Sequence, residues 1–301
     1  MKSHSRSLIG AMLVSITTLT ACSEQQMQTM MNDLRSGGAA SGPLIMDECS
    51  RFREPFQQVS AERRARLQQY AQAGAAIGAA AGAATSDGSL QDALMRTVIG
   101  GIGGAMIGAA SGYYMSLQER TSTRAQLQSA VNGDARGDLA RVNGLTRSLV
   151  DLNGCRTSQI AEVTNSVATG SLSREQGAQR LRTIRTATLQ DDRIVRDTTG
   201  QINETNGVYV NALSEAGVRD EASYVAQIER YTPRVTRPRL TAASAGSSVE
   251  GSLSVASRAP RSSDPVVQLG FSQRELSATQ QANADTLDSM LDEAEALLAS
   301  I

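Results

Sequence analysis

Seven glycines recur at intervals of four: Gly74, Gly78 and Gly82 in one Ala-rich stretch, then Gly100, Gly104, Gly108 and Gly112 in a second. That interval places each set on one side of a helix, in a slowly slanting row. A glycine costs about 1 kcal/mol relative to alanine inside a helix. Two rows in register therefore imply that the missing side chains let another backbone come close, the small-xxx-small logic of helix association. The pattern predicts a helix over 54–84, a turn at Ser86-Asp87-Gly88-Ser89 and a second helix from about residue 90. Composition points the same way. Only 3% of residues are aromatic and none is Trp, whereas globular cores usually lean on rings for buried area. The expected fold class is all-α: helices packed through small residues, not a sandwich or a doubly wound sheet.

Insertion of the hairpin into a bilayer stays open at this point. Residues 97–118 are 22 uncharged positions, long enough to cross. Residues 67–86 are also uncharged, but they contain Gln68, Gln69 and Gln72, and Ala and Gly give little transfer energy.

Beyond Leu117 the pattern becomes amphipathic through Leu127, Val131, Leu139, Val142, Leu145 and Leu149. Asn132-Gly133-Asp134 reads as an interruption and Asp151-Leu152-Asn153-Gly154 as a C-terminal stop. Further helices are expected over 155–168, 173–200 and 201–230, with a capping box at Ser173 and Gln176 and breaks at Gly170, Gly207 and Gly217. Polar residues at many seam positions argue for an irregular antiparallel bundle over a long regular coiled coil. Pro233, Pro238, Pro260 and Pro265 mark 232–267 as a disordered, flexible linker, basic over 230–262. The last stretch, 268–301, sets Asp285, Asp288, Asp292, Glu293 and Glu295 beside Leu287, Leu291, Leu297 and Leu298, an acidic amphipathic helix. Its charges, like those of the basic segment before it, read first as a solvated face, and otherwise as a tethered arm that docks on a partner or back on the bundle.

The N-terminus carries targeting information. Lys2 and Arg6 precede twelve uncharged, mostly apolar residues (8–19), too few to span a bilayer as a helix and suited to a signal peptide. Leu19-Thr20-Ala21-Cys22 follows, and this resembles the lipobox of bacterial lipoproteins. The resemblance implies cleavage before Cys22 and acylation of its thiol and new amine, so that membrane lipid is a partner through Cys22. Ser23, where the family commonly carries Asp for inner-membrane retention, implies transfer to the outer membrane, facing the periplasm. The segment Gly108 to Leu127 resembles a second feature, the glycine-zipper module of envelope lipoproteins, in which a Gly ladder ends in a Tyr- and Met-bearing stretch before a charged helix. Some relatives add a peptidoglycan-binding domain, whose Asp and Arg motif does not occur in this chain.

The expected organisation is a signal peptide (1–21), tether (22–53), glycine-zipper helical hairpin (54–118), helical bundle (119–231), linker (232–267) and acidic helix (268–301). In an oxidising periplasm the remaining Cys49 and Cys155 are expected to pair, which stabilises by about 4 to 5 kcal/mol in the chain-entropy model. A second helix unbroken to residue 150 would measure about 90 Å and carry Cys155 far past Cys49. A reversal is therefore expected near residues 132–138, or else no such bond.

Chemistry is chiefly notable for what is missing. His4 is the single histidine and leaves with the leader, as does Lys2, the single lysine. Ser-His and Cys-His catalysis, His-based metal sites and phosphate loops are thereby excluded from the mature chain. Two-carboxylate pairs remain at Asp191 with Asp192 and at Asp47 with Glu48, although neighbouring helical residues face different sides. The expectation is no enzyme, no cofactor, no metal, no nucleic acid and no small-molecule substrate, but a structural or scaffold role in an envelope or secretion assembly, through a protein partner or self-association. The rival readings are a self-associating, membrane-inserting hairpin and an enzyme built on carboxylates alone.

Overall fold

The computed structural model describes residues 44–84, 103–236, 239–241, 248–250, 254–255 and 262–300. These residues are mostly helical, in six α-helices: α1 (Glu54–Ala84), α2 (Gly103–Gln118), α3 (Arg124–Ala168), α4 (Arg174–Glu215), α5 (Glu221–Glu229) and α6 (Pro265–Ser300). A 3-10 turn at Ser50–Phe52 leads into α1. The signal peptide, Cys22, most of the tether, the Ser86–Ser89 turn and Gly100 lie outside the described residues. Gly74, Gly78 and Gly82 fall within α1 and Gly104, Gly108 and Gly112 within α2, and the two helices pack side by side. No described helix is long and apolar enough to cross a membrane.

The largest correction concerns α3. Neither Asn132-Gly133 nor Asn153-Gly154 breaks it; it runs unbroken for 45 residues, about 67 Å. The physical reason is a continuous buried stripe, Leu127, Val131, Ala135, Asp138, Val142, Leu145, Leu149, Leu152, Arg156, Ile160, Val163 and Val167, spaced by threes and fours. Burial along that stripe outweighs the cost of the glycines. The break that lets the cysteines meet comes earlier, at residues 119–123, between α2 and α3. There the Arg120 amide and Thr121 hydroxyl donate to the Leu117 carbonyl (3.0 and 2.7 Å), and Thr123 caps α3 by accepting from the Gln126 amide.

A second correction joins the helices expected at 173–200 and 201–230. Gly207 does not interrupt them; α4 is one helix of 42 residues, opened by the Ser173–Gln176 capping box. It stops at Gly217, whose φ of +64° lies in the left-handed region that favours glycine. The Gly217 amide donates to Ser214 O (2.8 Å) and the Val218 amide to Leu213 O (3.0 Å), a Schellman ending.

The third correction concerns the C-terminal third. The expected flexible linker contains four short strands, β1 (Val235–Thr236), β2 (Arg239–Thr241), β3 (Ser248–Glu250) and β4 (Ser254–Val255), paired antiparallel as β1–β4 and β2–β3. Val235 faces Val255 in one pair and Leu240 faces Val249 in the other. The acidic helix starts at Pro265, three residues early, and is not a free arm. It packs lengthwise on α3 and α4, and Leu44–Ile301 forms one unit. Asn283 and Met290 meet Leu149 and Thr157 of α3, while Gln273 and Gln280 meet Ile202 and Asp192 of α4. Thus α6 runs parallel to α3 and antiparallel to α4.

Two cores result. The wide one gathers Phe56, Tyr113, Leu145, Ile202, Tyr209, Leu213, Tyr224 and Phe271 from α1 to α6. The narrow one uses α3, α4 and α6 alone, with Ile160, Val163, Leu181, Ile184, Leu291 and Leu298.

Candidate functional site

The densest chemistry lies beside the point where the described chain begins. Cys49 and Cys155 are joined as a disulfide with Cα atoms 5.8 Å apart, which fastens the entry segment to α3. Next to it, four charged side chains close a ring. Asp47 pairs with Arg156 and, at 3.2 Å, with Arg53; Asp191 pairs with Arg156 at 2.8 Å and with Arg53 at 3.1 Å. Each carboxylate thus bridges both guanidiniums, and the ring carries no net charge. It draws on the entry segment, α3 and α4. Arg156 is fully buried and Arg53 is 2% exposed. Burial works against the Arg156 cation, but the hydrogen bonds and charges of Asp191 and Asp47 outweigh it and hold its pKa above the ordinary value. Replacing such a ring by apolar groups can be neutral, whereas removing one member strands a buried charge.

A second cluster occupies the wide core. Asp138 of α3, fully buried, faces Arg141 at 2.9 Å, Arg63 at 3.2 Å and Arg66 at 3.7 Å, and accepts the Tyr209 hydroxyl at 2.8 Å. One turn away Tyr113 donates to Asp134 at 2.8 Å. The rings of Tyr70, Tyr113 and Tyr209 meet in sequence, edge-on and then tilted, with centroids 5.1 and 5.4 Å apart. Burial first, then the adjacent carboxylates, pushes the Tyr113 and Tyr209 phenols well above their ordinary range. Burial lowers the Arg63 pKa; Asp138 opposes this, while Arg66 and Arg141 add to it.

The carboxylate pairs weighed from the sequence are each separated and engaged. Asp47 and Asp191 belong to the ring; Glu48 accepts from Gln159 at 3.1 Å; Asp192 pairs with Arg196 and accepts from Gln280 at 3.1 Å. The described residues contain no cluster of His, Cys, Asp and Glu that could hold a metal ion. A shallow, open depression at the start of α4 is lined by Leu172, Gln176, Gln179, Arg180 and Thr183, with no acid or nucleophile besides the Thr hydroxyl.

Sequence reasoning missed both charged clusters. Their members lie at positions 47, 53, 156 and 191, and at 63, 66, 138 and 141, too scattered for a local motif. The one available signal was Asp138 and Arg156 falling on the apolar stripe of α3, where a charge must find a partner. The chain matches no family model, no curated protein and no solved structure.

Proposed function

We propose that this chain is a lipid-anchored structural lipoprotein of the outer membrane, whose periplasm-facing helical body acts as a scaffold that tethers or stabilises an envelope or secretion assembly. The observation that carries the proposal is Leu19-Thr20-Ala21-Cys22 behind a charged and then apolar leader. The body supports it in kind. Its disulfide suits an oxidising compartment. Its buried charges hold the entry segment, α1, α3 and α4 together. Within this reading α1 and α2 form the glycine-zipper pair, close-packed through Gly74, Gly78 and Gly82 on one side and Gly104, Gly108 and Gly112 on the other.

Mass spectrometry of the protein extracted from membranes tests the anchor. A chain starting at Cys22 and carrying diacylglycerol plus an amide-linked acyl group is expected. An intact leader, or an unmodified Cys22 thiol, would remove both the anchor and the compartment.

A further inference from the structure

Five large apolar side chains of the described residues stand in solvent: Leu44, Met46, Leu189, Val225 and Leu297. Three of them belong to one neighbourhood. Leu44 and Met46 flank the half-buried Ile45, and Met46 is 79% exposed. The Ile45 amide donates to the Gln190 side chain at 3.0 Å and its carbonyl accepts from Arg53 Nη2 at 2.5 Å. The first bond ties the segment to α4 at the residue after Leu189 and the second ties it to Arg53, just ahead of α1, while Leu44 and Met46 stay exposed. Exposed arginines lie on the same two elements: Arg51, over the Phe52 ring at 4.6 Å, on the entry segment, and Arg193, one turn after Leu189, on α4. Of the acids on these elements, Asp192 is paired with Arg196, while Glu48 accepts from the neutral Gln159 and keeps its charge, one acid against the two arginines. Apolar side chains rimmed by guanidiniums match a bilayer interface, where the former enter the acyl boundary and the latter meet phosphate.

We propose that the face bearing Leu44, Met46 and Leu189 is a second contact with the lipid surface, additional to the acyl chains on Cys22. The proposal rests on the anchor reading. Only 21 residues separate Cys22 from Leu44, a reach of at most about 75 Å. The face is thereby confined near the bilayer, so that an attraction weak in the free protein is populated by proximity in the anchored one. Val225 and Leu297, on α5 and the last turns of α6, serve as exposed apolar positions outside this face.

The test places a photoreactive amino acid at position 46, 189, 225 or 297 of the lipidated full-length protein, reconstituted in phosphatidylethanolamine and phosphatidylglycerol vesicles. Lipid adducts several-fold more abundant at 46 and 189 than at 225 and 297 are expected. Equal yields at all four positions, or protein adducts in place of lipid at 46, would overturn the proposal. Independently of the anchor, the mature chain carrying Cys22→Ala should sediment weakly with the same vesicles. Met46→Ser should then reduce that partition about tenfold; an unchanged partition overturns the proposal even if Cys22 proves unmodified.

Discussion

The two ends of the bundle solve the same packing problem with different materials. At the narrow end three helices suffice, the core is aliphatic, and the main ion pairs are outside: Arg185 reaches Asp288, Asp292 and Glu295, all substantially exposed. At the wide end α1, α2 and α5 join the same three helices. All nine aromatic residues fall outside the narrow core, and charges are drawn inside, around Asp138. The disulfide and the ring of Asp47, Arg53, Arg156 and Asp191 sit where the entry segment meets α3 and α4. The contrast teaches that a chain poor in aromatic residues need not spread them thinly. It concentrates them where more than three helices must be filled, and lets small aliphatic side chains close the rest.

That contrast can be broken or sharpened by substitution. Removing the disulfide by Cys49→Ser with Cys155→Ser should cost the most, about 4 to 5 kcal/mol in urea unfolding. A loss below 1 kcal/mol would mean that the ring alone holds the entry segment. Arg156→Met leaves Asp47 and Asp191 to share Arg53 alone, with one buried negative charge uncompensated, and should cost about 3 to 5 kcal/mol. Arg185→Met, acting on the solvent-facing pairs of the narrow end, should cost about 1 kcal/mol or less. Equal losses in the two variants would erase the distinction between inner and outer charges.

Alkaline pH should single out the wide end. The Tyr113 and Tyr209 pKa values are raised in the fold, while the unfolded phenols ionise near 10. Their contribution is therefore complete below about pH 10 and is lost as the pH climbs above it, by about 1.4 kcal/mol per pH unit for each phenol. Thermal melts from pH 9 to 11.5 should show this fall, and Tyr113→Phe with Tyr209→Phe should flatten it. The smallest effect is a gain. A Cβ added at Gly144 of α3 meets nothing within 4 Å, so Gly144→Ala should stabilise by about 0.5 to 1 kcal/mol. At Gly270 the same addition would come within 2.5 Å of Ile228 Cδ1, and Gly270→Ala should destabilise.

Much of the architecture was legible because it is local. Helix α1 follows from its Ala-rich run, the start of α4 from the Ser173–Gln176 box, and α6 from its apolar spacing against an acidic face. Cys49 and Cys155 also stood out, and the structure brings them together. What failed was the weighing of local against distant terms. Asn132-Gly133 is a genuine turn signal, yet α3 passes through it because twelve stripe positions find partners on other helices. Likewise Gly207 yields to Val208, Tyr209, Ala212 and Leu213, which are buried around it. Asp47 and Asp191 looked like members of adjacent acidic pairs, and only the fold reveals that their true neighbours are Arg53 and Arg156.

The placement of α6 in the seam between α3 and α4 has a consequence for how the molecule is born. Polypeptides emerge from their N-terminus, so the element that closes the interior is the last to arrive. Until then Leu149, Leu181 and Ile202 have no lid, and the nascent protein offers an oily trough to any holdase that meets it.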